Sequence, residues 1–207
     1  MGQLYTIGHS TYPEEHLTEL LQSFGVDYLL DVRSTPFSQY VPQYNANHIV
    51  HTMERAGIHY VKMGKYFGAR QEDPAYYHRE GYLDFELFRR SELFRTGLEN
   101  VRKGLQDHNI ALMCAEKNPI DCHRAIMVAR GFELEGVDVK HILHDFTFLP
   151  QKSLNLQLLN RYFPERDQIS MFAEDNRSEE ELLIDAYRKR NSEIGYRRGT
   201  NSEGGEV

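Results

Sequence analysis

Over its first 160 or so residues the chain alternates short apolar runs with segments of helical periodicity, and no other feature restricts its fold as much. Runs that read as strands occupy residues 3–8 (QLYTIG), 26–32 (VDYLLDV), 58–63, 109–114 (NIALMC) and 137–143. Between them, Leu17, Leu20, Leu21 and Phe24 recur at helical spacing, as do Phe94, Leu98, Val101 and Leu105. Further helices are expected over 46–56, from Cys122 to a stop at Gly136, and over 154–163. Thr11-Tyr12-Pro13-Glu14 reads as a capping box for the first of these. Strands separated by helices require right-handed crossovers, which lay them side by side in a parallel sheet covered on both faces. The expected fold is a three-layer α/β domain over residues 1–163 with a mostly parallel five-stranded sheet. A polar C-terminal tail, residues 164–207, is expected to be partly helical or disordered. Residues 64–83 form a loop of a length that, inside a compact domain, goes with function or mobility.

Composition narrows the classes of function. Hydrophobic residues make up 40% of the chain, enough to bury a core, and the net charge of −7 argues against coating nucleic acid by charge. No apolar run approaches the roughly 18 residues of a membrane span, so no membrane partner is expected. Residues 1–25 also lack the basic start and continuous apolar core of a secretory signal. Two cysteines, Cys114 and Cys122, are too few for a disulfide framework, which points to a reducing cytoplasm.

Polar residues collect where the strands end, the edge at which parallel sheets bind ligands. The first strand runs into Gly8-His9-Ser10, the second into Asp31-Val32-Arg33, the fourth into Cys114-Ala115-Glu116; His141, His144 and Asp145 accompany the fifth. His9, with an ordinary pKa near neutrality, is a candidate acid or base. Asp31 would orient it, and Glu116 would share or support that task. Cys122, His123 and Arg124 open a helix, where free N–H groups favour anions and acidify a thiol. Cys122 is therefore a candidate nucleophile, while Cys114 reads as a buried hydrophobe. Ser10, Arg33, His123 and Arg124 are candidate contacts for an anionic group, with Arg70 in the long loop closing over it. No residue is assigned to a metal. The spacing of the cysteines matches no zinc pattern, although their number with the histidines leaves a transition metal open as the cofactor. A P-loop and a G-x-G-x-x-G sequence are both missing.

Taken together, Thr6-Ile7-Gly8-His9-Ser10, Asp31-Val32-Arg33 with Pro36 and Ser38, Leu112-Met113-Cys114-Ala115-Glu116, Cys122-His123-Arg124 and His141-Ile142 resemble the bacterial and archaeal domain-of-unknown-function family 488. The resemblance runs over about residues 4–150. It implies an α/β domain and a shared polar site built from these motifs, without supplying a reaction. His144-Asp145-Phe146 departs from the family pattern, where a glycine followed further on by a histidine is expected.

Beyond Pro164, 11 acidic residues face 7 basic ones. The charged stretch at 179–190 reads as a solvated helix. Ahead of it, Gln168-Ile169-Ser170-Met171-Phe172 resembles the pentapeptide that binds the bacterial sliding clamp, with Gln168, Ile169, Met171 and Phe172 as contacts. The leading expectation is an enzyme, a hydrolase or transferase, acting on a phosphorylated, nucleotide or nucleic-acid-derived substrate and recruited to DNA by the clamp. The alternatives are a thiol redox or metal-responsive protein using Cys114 and Cys122, and a non-enzymatic accessory of DNA replication or repair. Deleting residues 168–172 is expected to abolish binding to purified clamp; unchanged binding, or none by the intact chain, ends the recruitment idea.

Overall fold

The computed structural model describes residues 2–166 and 177–198. Its centre is a six-stranded sheet in the order β3-β2-β4-β1-β5-β6. The strands are β1 (Leu4–Gly8), β2 (Tyr28–Asp31), β3 (His59–Lys62), β4 (Ile110–Cys114), β5 (Val139–Ile142) and β6 (Phe148–Pro150). The first five pair in parallel, and β6 pairs antiparallel with β5. The α/β expectation holds, with one strand more than the five expected. β6 has three residues and ends in Pro150, too short for a recognisable run, and lies at the sheet edge where proline is tolerated.

Helices α1 (Glu14–Ser23) and α2 (Ala46–Arg55) cover one face. Leu17, Leu20 and Leu21 of α1 and Ile49 and Met53 of α2 meet Ile7, Leu29, Ala111, Met113 and Ile142 of the sheet. The other face is covered by α3 (Gly64–Phe67), α4 (Phe85–Arg89), α5 (Glu92–Gly104), α6 (Arg130–Leu134), α7 (Gln151–Tyr162) and α8 (Glu179–Ile194). A wholly buried π-helical turn, Arg124–Ala129, leads into α6. α1 begins with Pro13 as its N-cap and no capping side chain, so Thr11 lies two residues too early to close the expected box. The box forms in α8 instead, between Ser178 and Glu181. The loop at 64–83 is broken up by α3, a 3-10 turn at Pro74–Tyr76 and β-bridges from Tyr77 to Leu83 and from Tyr82 to Arg197.

α8 is not the solvated helix expected of so charged a segment. Leu182, Ala186 and Tyr187 are buried, and the last two belong to the larger core. Arg190 is buried too, donating to the Ile120 carbonyl at 2.8 Å and pairing with Asp121 and Glu193. Of the five buried positions only Leu182, Ala186 and Tyr187 are apolar, too few among many charged residues to stand out as an amphipathic stripe. Helical packing therefore continues past residue 163. The clamp-like segment, with Gln168, Ile169, Met171 and Phe172, lies outside the described residues. Among the described residues no helix is long and apolar enough to cross a membrane.

A buried hydrogen-bond chain joins the sheet to α7 and α8. Thr6 donates to His141 Nδ1 at 2.8 Å, and His141 Nε2 donates to Gln151 at 2.7 Å. The Gln151 amide donates to the Tyr187 hydroxyl at 2.6 Å, which donates to Asn155 at 2.5 Å. His141 is therefore a structural group on this face and takes no part in the site. Tyr187→Phe leaves a buried amide donor and a carbonyl acceptor unpaired and is expected to cost about 1–3 kcal/mol in urea denaturation. An unchanged midpoint would mean that α8 does not dock as described.

Candidate functional site

The chain leaves β1 across β4 toward β2, and leaves β4 across β1 toward β5, so the connections diverge between these neighbours. Open parallel sheets bind ligands beyond the carboxyl ends of strands at such a point. Because side chains alternate along a strand, the polar residues there separate into two groups on opposite sides of the sheet.

On the α1/α2 side, Arg33 grips Asp31 with Nε and Nη2, at 2.9 and 2.6 Å. Nη2 also donates to the Tyr44 carbonyl at 2.7 Å, and Nη1 donates to His9 Nε2 at 3.1 Å. The Tyr60 hydroxyl donates to Asp31 at 2.6 Å. His9 Nδ1 donates to the Ser10 carbonyl at 2.8 Å, in a turn where Ser10 takes a left-handed φ of 52°. The imidazole stacks on Tyr44 with ring centroids 4.0 Å apart. Both ring nitrogens are thus committed, with the proton on Nδ1. Burial, reinforced by the Arg33 charge, lowers the His9 pKa to about 4. His9 is neutral and enclosed at neutral pH, only 1% exposed, which does not suit the acid–base role suggested by its position. Arg33 and Asp31 satisfy each other instead of holding a guest.

On the opposite side, the loop after β4 folds back so that Cys114, Glu116, Cys122 and His123 converge. One ligand atom from each lies within 4.8 Å of all the others. Both thiols donate to Glu116 Oε2, Cys114 at 3.1 Å and Cys122 at 2.8 Å. His123 Nδ1 lies 3.6 Å from the Cys114 sulfur and 3.9 Å from that of Cys122, while its Nε2 donates to the Val32 carbonyl at 3.2 Å. Cys114, Cys122 and His123 are buried; Glu116 is exposed along its flank and turns its carboxylate inward. Burial pushes the Cys114 thiol up. Burial acts on Cys122 in the same sense but is overridden by the Cys114 hydrogen bond and the charges of Arg124 and His123, which leave it the more acidic thiol. Burial and the facing Cys122 raise the Glu116 carboxyl.

Arg124 lies beneath this loop, fully buried, with Nη1 on the Glu116 carbonyl at 2.5 Å and Nη2 on the Lys117 carbonyl at 3.0 Å. These donors hold the backbone and are not free for an anion. Arg70 lies apart from both groups, its exposed guanidinium over the Tyr196 ring at 4.7 Å. Ser10 contributes its carbonyl to His9. His144, the departure from the family pattern, donates from Nε2 to the Gly8 carbonyl at 2.8 Å and stacks on Tyr12. Tyr44 and Tyr60 have no sequence signal, since neither lies in a motif. Cys114 had one: it shares with Glu116 and Cys122 a loop short enough to close on itself.

A family model for a domain of unknown function, DUF488, matches residues 13–130, more than half of the chain. No curated protein and no solved structure matches it.

The neutral histidines have a measurable consequence. Folded values of about 4 for His9 and about 3 for His141 lie below the ordinary 6.5. The unfolded chain therefore takes up protons that the folded chain refuses, and the stability present above pH 6.5 is lost as pH falls toward those values. The His9 share is of order 3 kcal/mol. His9→Phe keeps a ring against Tyr44 and removes the titration, so its urea midpoint should fall less steeply than that of the parent below pH 6.5. Identical slopes would show that His9 is not held neutral.

Proposed function

Since the chain belongs to the DUF488 family, whose domain has no assigned function, we propose from the geometry of its own residues that it is a metal-responsive thiol protein. Its working group is a site for a divalent transition ion made of Cys114, Glu116, Cys122 and His123. The convergence of four donor atoms within 4.8 Å carries this reading.

Two sulfurs, one imidazole nitrogen and one carboxylate oxygen suit a borderline-soft cation such as zinc. Bond lengths of about 2.0–2.3 Å in a tetrahedral site imply ligand-to-ligand separations of about 3.4–3.8 Å. The sulfur–nitrogen distance of 3.6 Å to Cys114 already lies in that range, and that of 3.9 Å to Cys122 is just beyond it. The sulfur–oxygen distances of 3.1 and 2.8 Å are shorter because thiol protons bridge them. An ion replacing those protons would part the oxygen from the sulfurs by about half an ångström and release acid. The Val32 carbonyl fixes the Nε2–H tautomer, presenting the Nδ1 lone pair inward, as outer-shell partners of metal-bound histidines do. Buried Arg124 offsets part of the charge of two thiolates and a carboxylate. With both thiols almost sealed, at 3% and 1% exposure, a small ion reaches them more readily than a bulky electrophile does. Exposed Glu116 is the ligand placed to open.

Equilibration of the full chain with Co2+ is expected to give stoichiometric binding with tetrahedral ligand-field and thiolate charge-transfer bands. Zn2+ should displace the cobalt and protect both thiols from alkylation. Cys122→Ser should weaken binding more than about 100-fold, and Glu116→Gln less than Cys122→Ser, as losing a buried ligand costs more than losing an exposed one. Thiol reactivity that is the same with and without metal would exclude the site.

A further inference from the structure

Away from the strand ends, α4, α5, α6 and α8 and the π-helical turn enclose a cavity of about 460 Å³. Its floor is apolar, made of Phe85, Phe94, Leu98 and Ile126. Its walls carry five arginines against three glutamates, an excess of positive charge in a chain whose net charge is −7.

Most of these charges are already matched. Glu86 accepts from Arg90 at 2.5 Å and from Arg188 at 3.0 Å, so both of its oxygens are committed. Arg130 pairs with Glu133 at 2.6 Å and lies over the Tyr187 ring. Glu135 faces Arg102 at 3.3 Å. Arg89, Arg95 and the exposed Glu180 remain: among the described residues neither of these two guanidiniums has a hydrogen bond or an ion pair. Arg95 is exposed, whereas Arg89 is half-buried. The absence of a side chain at Gly131 leaves room for the Phe94 ring, which a Cβ there would meet at 2.7 Å, and the Arg89 stem packs beside it, with Cδ 3.4 Å from that position. Burial and the like charge of Arg130 bring the Arg89 pKa down to about 10. Glu86 and Asp84 offset this only in part and from beyond ion-pair distance, and a desolvated guanidinium without a direct ion pair gains when an anion completes it.

We infer that this cavity is a binding site for a small phosphate monoester with an apolar or aromatic body. Arg89 and Arg95 take the phosphate, and the floor of Phe85, Phe94, Leu98 and Ile126 takes the body. Two guanidiniums without partners match a dianion better than a carboxylate, and the fork of each fits two phosphate oxygens. A volume of this size and an apolar floor suit a ligand of metabolite size rather than a bare ion. The inference uses none of the thiol cluster and stands apart from the metal reading.

Phenyl phosphate is the probe, with phenol, benzoate and inorganic phosphate as controls, titrated into the full-length chain by calorimetry. Phenyl phosphate should bind saturably and more tightly than each control. Arg89→Met should weaken it at least about tenfold, and should leave the ligand-free denaturation midpoint unchanged or higher, because the charge removed has no partner. Cobalt binding at the thiol cluster should be unaffected, which separates this site from that one. Arg95→Gln, at an exposed position that cannot disturb the fold, should also weaken phenyl phosphate and decides the matter if Arg89→Met does not fold. No saturable binding, equal affinity for inorganic phosphate, or full affinity in the variants would overturn the inference.

Discussion

Arg124 reaches through the interior to hold the loop after β4 by its backbone, with one guanidinium nitrogen on the Glu116 carbonyl and another on that of Lys117. β1 can lie against this loop because Gly8 has no side chain; a Cβ there would stand 1.8 Å from the Glu116 carbonyl oxygen and 3.0 Å from Arg124 Nη1. The main chain of β1 continues the contact, as His9 and Ser10 donate to the carbonyls of Cys114 and Ala115 at 2.9 and 2.8 Å. Charge-assisted hydrogen bonds in a dry setting are strong, and a buried guanidinium without these carbonyls would be very costly. The residue that a sequence reading assigns to substrate is thus the one that shapes the thiol cluster.

The sheet separates two electrostatic environments only a strand's thickness apart. On one side a neutral imidazole, a bidentate ion pair and two tyrosines form a closed set, with every strong donor matched to an acceptor. On the other, two thiols compete for one carboxylate oxygen while an imidazole faces both sulfurs. Closed sets of the first kind rigidify a structure. The second kind is less closed, because two thiol protons share one carboxylate oxygen and the imidazole Nδ1 faces both sulfurs at 3.6 and 3.9 Å. The two sides touch where His123 donates to the carbonyl of Val32, the residue between Asp31 and Arg33.

α8 ties the second unusual region to the first. Its Tyr187 and Asn191 line the arginine-walled cavity, and its Arg190 holds Ile120 and Asp121 in the turn just before Cys122. The π-helical turn supplies Ile126 to the cavity floor and begins at Arg124. π-helical turns often occur at functional sites because they shift side chains off the regular helical register. Here the shift accompanies six consecutive buried residues, one of them an arginine.

Much of this protein can be read directly from its residues. Apolar runs separated by 3.6-residue periodicity specify the strand–helix alternation, the parallel pairing and the edge at which polar groups collect, because burial and right-handed crossovers leave few alternatives. Cys122-His123-Arg124 and the residues around Asp31 mark where polar groups gather at the strand ends. β6 and the docking of α8 were not legible, one because three residues carry no period and the other because its buried stripe is narrow. The roles of the site residues needed the fold itself. Whether His9 is a free base or an enclosed neutral ring, whether Arg124 faces a ligand or a carbonyl, and whether Cys114, Glu116, Cys122 and His123 meet all depend on which side of a strand each side chain leaves and what packs against it. Those are long-range relations, decided by tertiary contacts that no local spacing encodes.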